Sequence, residues 1–332
     1  MPNERPASAA SAALVTLIMV LLAATNAQSA DGLQFPFGCP VREGHVNVTG
    51  GRIWYEVVGD GDATPLITLH GGPGFTHDYL EPLGSLCKER PVLFYDQLGA
   101  GKSDHPQDKS LWQIARFVKE LAELRSALGL KRAHILGQSW GTMLLTDYAL
   151  TQPEGVVSLI FSDPVCSIPE WLRDAATYRN QLPATTRDTL VRHEAGGYTE
   201  CPEYQAAVLE YYKLHVCRLA VWPDVLERAF KEHNDEIYVT MQGANEFTCT
   251  GNLKDWDRTA RLKEIKTPAL YIAGRFDETS PRATALCHKA LPGSEMVVFE
   301  KSSHLPIFEE PDKYLKVVHD FVDRAEHRRP PP

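Results

Sequence analysis

Ser139 stands in the run Gly137-Gln138-Ser139-Trp140-Gly141, a hydroxyl with a glycine two residues to either side. That spacing suits a sharp strand-to-helix turn, where strand and helix pass so close that the flanking positions must be small. Such a turn strains the serine backbone, lifts its Oγ into the open and aims the first N–H groups of the helix at any negative charge formed beside it. A serine hydroxyl attacks well only when a base takes its proton and an acid orients that base. Downstream, Asp277 follows the apolar run "LYIAGRF" and His304 follows "VVFEKSS". Asp163, after "VVSLIFS", is a rival acid; Asp277 is preferred because "GRFDETSP" presents it directly before a helix start. Of twelve histidines, His304 alone follows the final apolar run, where it can swing over the serine, and His70 is read as a brace for its own loop.

Acyl transfer also needs donors for a developing oxyanion. "LHGGPG" at 69–74 forms a glycine turn whose backbone can approach a ligand, with Pro73 setting its shape. The N–H groups of Gly72 and Trp140 are the candidate donors, each worth about 10²–10³ in rate. "GAGKS" at 99–103 looks like the end of a phosphate-binding loop, but the pattern requires glycine at 96 and Asp96 stands there. Nucleotide binding is therefore rejected. No pair of cysteines has CxxC spacing, so no zinc site is expected, and no metal or other cofactor is assigned.

Elements must carry these residues to one place. "HVNVTG" and "RIWYEVVGDG" are β-rich runs joined at Gly50-Gly51, a hairpin signal. "PLITLHGGPG" and "PVLFYDQLGAG" are apolar runs that each end in a glycine-rich loop. Residues 111–128 place Ile114, Phe117, Val118, Leu121, Leu124 and Leu128 at helical period. "AHILGQS", a helix from Gly141 to about Leu150, and "VVSLIF" follow. The alternation resumes with "PALYIAGRFD", a helix at 281–290, "EMVVFEKSSH" and a last helix from about Asp312 to Arg324. Buried strands alternating with helices predict an α/β fold, a mostly parallel central sheet covered on both faces. Between 166 and 249 the pattern gives way to charge, tyrosine and tryptophan, with helical spacing in 203–215 and 223–236. This stretch is read as a helical cap inserted between two parts of the core, 31–165 and 250–332.

The chain of 332 residues carries a net charge of −9 and no long basic run, which points away from nucleic acid. Arg5, the apolar run "AALVTLIMVLLAAT" and the small, polar "NAQSA" describe a signal peptide over residues 1–30, cleaved between Ala27 and Ala30; the alternative is an uncleaved anchor. Export would make the mature chain secreted or periplasmic, with no membrane association once the leader is removed. Seven cysteines in an oxidising compartment allow up to three disulfides and one leftover thiol, and the four cysteines between 166 and 249 suggest a stapled middle segment. Asn47-Val48-Thr49 is a glycosylation sequon, relevant only in a eukaryotic source.

Taken together, "HGGPG", "YDQLGAGKS", "GQSWG", "NEFTCTGNLKDWD", "GRFDETSP" and "SSHLPIFEEP" resemble the proline iminopeptidases, serine aminopeptidases of the α/β-hydrolase fold. The likeness runs from about 45 to 322 and is weak across 167–235. Ser139, Asp277 and His304 stand in the chain order of that fold. The resemblance implies that two glutamates capture the substrate's free α-amino group, here Glu246 in "NEF" and Glu278 after the acid. It also implies a small apolar pocket for a proline ring, with Phe75, Trp140 and Phe247 as candidate walls. The leader and the cysteines depart from the usual family member. Three readings follow: an exopeptidase acting on short peptides with a free N-terminus, proline preferred; a hydrolase of amino-acid amides or esters with the same triad; and a non-catalytic binding protein on this scaffold, against which the intact serine, acid and histidine argue.

Overall fold

The computed structural model describes residues 37–327, so the leader expected over 1–30 lies outside the described residues. Strands β1 (Val41–Val48) and β2 (Gly51–Val58) form the expected hairpin, with Val48 opposite Gly51. The other strands are β3 (Leu66–Leu69), β4 (Val92–Tyr95), β5 (Ala133–Gln138), β6 (Val156–Ser162), β7 (Ala269–Gly274) and β8 (Glu295–Phe299). They form one sheet in the order β1-β2-β4-β3-β5-β6-β7-β8. The β1/β2 and β2/β4 pairs are antiparallel and every later pair is parallel.

Alternation along the strands explains the layers. Leu66, Leu136, Ile160, Leu270 and Ile272 point into one apolar core, shared with the last helix through Tyr314, Val318 and Phe321. Their neighbours Ile67, Ile135, Leu159, Phe161 and Tyr271 point into a second core with Phe117, Leu121 and Leu144. Both faces of a parallel sheet are thus buried, as short, wholly apolar strands require. The covering helices are α1 (Ile114–Ala127), α2 (Trp140–Ala149), α8 (Pro281–Ala290), α9 (Pro306–Glu309) and α10 (Pro311–Glu326). The order runs from β3 to β4 on one side and from β3 to β5 on the other, and the crevice where such an order reverses is the usual ligand site.

Between β6 and β7 lie α3 (Ile168–Gln181), α4 (Ala184–Gly196), α5 (Pro202–His215), α6 (Asp224–Lys231) and α7 (Asp235–Met241). The helical pattern over 223–236 is two helices, because Asn234 interrupts it. Its side chain caps α7 by accepting from the N–H groups of Glu236 and Ile237. Its own N–H donates to Gly74 O and its amide to Gly99 O, which moors these helices to the loops after β3 and β4.

Disulfides join Cys39 to Cys87 and Cys166 to Cys287. Cys201, Cys217 and Cys249 are free thiols, so the middle segment is not stapled within itself; Cys166 instead ties its start to α8. That bridge closes 121 residues of chain, and a cross-link of this length restricts the unfolded state strongly. Replacing Cys166 and Cys287 by serine is expected to cost about 2–4 kcal/mol. Denaturant midpoints of the variant against the oxidised parent measure it; coincident curves would show that the bridge contributes nothing. Among the described residues no helix is long and apolar enough to cross a membrane.

Candidate active site

The serine turn has the geometry its glycines require. Ser139 lies between β5 and α2 at φ 53° and ψ −121°, a strained region for a residue with a side chain. A Cβ added to Gly137 would sit 2.3 Å from Gly141 O, and one added to Gly141 would sit 2.2 Å from Leu69 O. No larger residue fits either place. The Ser139 N–H donates to Ser162 O at 3.1 Å, which holds the turn against the end of β6.

Asp277 and His304 leave the ends of β7 and β8. Asp277 Oδ1 accepts from His304 Nδ1 at 2.7 Å and from the Thr279 N–H at 2.9 Å, and Thr279 Oγ1 donates to Oδ2 at 3.0 Å. This fixes the imidazole with Nε2 toward the cavity that Ser139 and His304 both line. Nε2 has no hydrogen-bond partner among the described residues, so the ring is free to take a proton from the serine. Burial opposes charging His304, but the charge and hydrogen bond of Asp277 outweigh it and raise its pKa above the ordinary histidine value.

The rival acid is present at the same place. Asp163, fully buried at φ 52° after β6, brings a carboxylate oxygen within 4.8 Å of the ligand-type atoms of Asp277 and His304. Its Oδ2 accepts from Ser162 Oγ at 2.8 Å, and that hydroxyl accepts from Tyr314 at 3.1 Å. Burial and the Asp277 charge push Asp163 well above the carboxylate range, beside the acid that holds the histidine. The three groups form a donor set a cation could use, as do His77, Asp78 and Glu81. In both, protein partners already engage donors: His304 is bound to Asp277, while Arg228 takes Asp78 at 2.7 Å and Asp96 takes His77 at 2.8 Å.

The glycine loop after β3 is braced from below. Burial lowers the His70 pKa to about 4, so the ring is neutral. Its Nε2 accepts from the Gln97 N–H at 3.0 Å and its Nδ1 donates to Gly71 O at 2.9 Å. The Gly71 N–H donates to the Tyr79 hydroxyl, which donates to Gln138 Oε1 at 2.7 Å, and the Gln138 amide donates to His304 O at 3.1 Å. Loop, serine turn and histidine are therefore one hydrogen-bonded unit. Gly72 and Trp140, the candidate oxyanion donors, line the same cavity as Ser139.

Glu246 and Glu278 meet above this unit. Glu246, from the segment after α7, accepts from the Tyr238 hydroxyl at 2.6 Å, and its N–H donates to the Tyr212 hydroxyl at 3.2 Å. Glu278 is 1% exposed, its Oε1 lies 3.9 Å from His304 Nε2, and its Oε2 has no partner among the described residues. Burial and the charge of Glu246 push Glu278 well above the carboxylate range; burial raises Glu246 too, against the Tyr238 hydrogen bond. Sequence reasoning missed Tyr238, Tyr212, Tyr79 and Gln138, because a tyrosine or glutamine among apolar residues carries no signal of its partner.

Two chambers open from Ser139. One is lined by Phe75, Tyr79, Val216, Leu226, Phe230 and Leu305 together with His304 and Glu246. The other is lined by Trp140, Met143, Val165, Ile168 and Trp171, with Gln242, Glu246 and Glu278 at its polar end. No Lys or Arg is among the described residues lining either. Of the three candidate walls for a ring, Trp140 is in the chamber with both glutamates and Phe75 is in the other. Phe247 lines neither; it packs on Tyr211 at 4.8 Å.

Known proteins share this arrangement of chain. The alpha/beta hydrolase fold family matches residues 64–311. A proline iminopeptidase of Heyndrickxia coagulans is 47% identical over 283 residues, covering 85% of this chain and 98% of its own. The crystal structure of a Mycobacterium smegmatis proline iminopeptidase superposes with a TM-score of 0.79 at 37% identity, over 86% of this chain and 99% of that one. The crystal structure of VinJ gives 0.83 at 36% identity, over 86% and 99%. The eight-stranded sheet, the strained serine turn and likeness of this extent lead to one conclusion: the chain is an alpha/beta hydrolase belonging to the proline iminopeptidase family.

Proposed function

We propose that this protein is a serine aminopeptidase that removes an N-terminal residue, proline preferred, from short peptides. The observation that carries the proposal is the pair of buried glutamates, with one oxygen unpartnered and no lysine or arginine among the described residues lining the chamber. A buried carboxylate is costly unless paired, and a substrate ammonium is the partner this chamber lacks. The apolar walls from Trp140 to Trp171 suit a compact ring next to that ammonium.

His304 takes the Ser139 proton as Oγ attacks the substrate carbonyl carbon, and Asp277 stabilises the imidazolium. The N–H groups of Gly72 and Trp140 donate to the oxyanion. The C–N bond then breaks, the leaving amine receives the proton from His304, and an acyl-enzyme remains on Ser139. Water, deprotonated by His304, attacks the ester carbon, and the freed amino acid leaves as the serine regains its proton. The two disulfides support the reading that the folded chain works in an oxidising compartment after export.

The test compares a prolyl anilide, its N-acetylated twin and a simple acyl ester at neutral pH. Hydrolysis of the free-amine compound at least 100-fold faster than of its acetylated twin is expected from loss of a buried charge partner, worth about 3–5 kcal/mol. Equal rates for the acetylated compound or the ester would replace this reading with a general amidase or esterase.

A further inference from the structure

The geometry points to the chamber of Phe75, Leu226 and Phe230 as the site for the residue after the scissile bond, where it selects an apolar side chain. This rests on the aminopeptidase reading and adds a substrate class to it. The direction follows from where the protons go. The leaving nitrogen must be protonated by His304, which lines this chamber and keeps its Nε2 3.9 Å from Glu278 Oε1 at the edge of the other. The ammonium end is drawn the other way, toward Glu278, which lines only the chamber of Trp140. A peptide across Ser139 therefore has its first residue among Trp140, Met143 and Trp171, and its second among Phe75, Leu226 and Phe230.

The chamber of Phe75 and Phe230 offers a charged side chain no uncommitted partner. Its polar linings are committed: Gln138 to Tyr79 and the His304 carbonyl, and Glu246 to Tyr238 and the ammonium end. The walls are also held in place. Phe75 and Phe230 pack edge to face at 4.9 Å, Trp222 supports Phe230 at 5.2 Å, and Arg228, between Leu226 and Phe230 on α6, is bound to Asp78 of the core at 2.7 Å. An apolar side chain gains apolar contacts against these walls, whereas a charged one loses its water without gaining a partner.

The experiment measures kcat/KM of the intact chain on prolinamide and on the dipeptide amides Pro-Gly, Pro-Leu, Pro-Phe, Pro-Glu and Pro-Lys. Pro-Leu and Pro-Phe are expected to exceed Pro-Gly by about 10- to 200-fold, the range for filling an apolar pocket. Pro-Glu and Pro-Lys are expected to fall below Pro-Gly. Leu226→Ala is expected to lower the Leu-to-Gly ratio by about tenfold; a ratio within one preparation is unaffected by any loss of folded protein. A flat series, or a preference for Glu or Lys, with prolinamide still cleaved, overturns the subsite and leaves the aminopeptidase reading standing. No hydrolysis of any of the six, prolinamide included, overturns both.

Discussion

Ser139→Ala is expected to lower kcat on a prolyl anilide on the order of 10⁶-fold, with the fold intact. Removing the nucleophile disables the whole unit, because His304 then has no proton to take and Asp277 nothing to stabilise. Any residual rate comes from binding and from the Gly72 and Trp140 donors stabilising the oxyanion formed when water attacks the bound substrate directly. The turn itself survives the change, since its strain is held by the two close backbone approaches at Gly137 and Gly141 rather than by the hydroxyl. Single-turnover release of anilide gives the measurement, and a thermal melt confirms folding. A loss of less than 100-fold in folded protein would remove Ser139 from the mechanism.

Glu278→Gln is expected to separate activity from stability in opposite directions. Loss of one partner for the buried ammonium, at about 3–5 kcal/mol, lowers kcat/KM on free-amine substrates by about 10²–10³-fold. The stability effect follows from the carboxyl's raised pKa in the folded protein, caused by burial and then by Glu246. A group raised in this way contributes stability that is fully present below its unfolded pKa, near 4.3, and is lost as pH rises through the folded value. Glutamine cannot ionise, so the variant keeps that stability at neutral and alkaline pH. Melting temperatures of parent and variant are expected to converge near pH 4 and to diverge upward from there, with the variant higher. A variant that melts below the parent at pH 8 would contradict a buried, unpaired charge at Glu278.

Ser139, Asp277 and His304 could be singled out because each stands at a strand end and its neighbours say so: glycines for the serine turn, a helix start after Asp277, a final apolar strand before His304. The alternating core was legible for the same reason, since buried strands leave dense apolar runs. The glutamates were not; a glutamate in "NEF" or "DET" reads as solvated surface, and the resemblance alone singled them out. Helix α4 was invisible because only Leu190 of its residues is buried, which leaves no stripe to detect. Helix α3 did carry a start signal, Ser167-Ile168-Pro169-Glu170, with Ser167 Oγ accepting from the Glu170 N–H at 3.4 Å. The division into two chambers is built by residues far apart in the chain, from Phe75 to Leu305, and no local pattern encodes it.

Asp163 has a meaning for descent as well as for catalysis. Two adjacent parallel strands, β6 and β7, each end in a buried aspartate that reaches the surroundings of one imidazole. A lineage could hand the orienting role from one strand to its neighbour by successive single substitutions, passing through a chain that holds both acids, and at no step would the histidine be left without a carboxyl. Such a duplicated address lets the loops after either strand diverge, one free to reshape a binding pocket while the other keeps the chemistry. In this protein the loop after β7 also carries Glu278, so the carboxyl that holds the histidine and the buried glutamate next to it are inherited together on one short stretch of backbone.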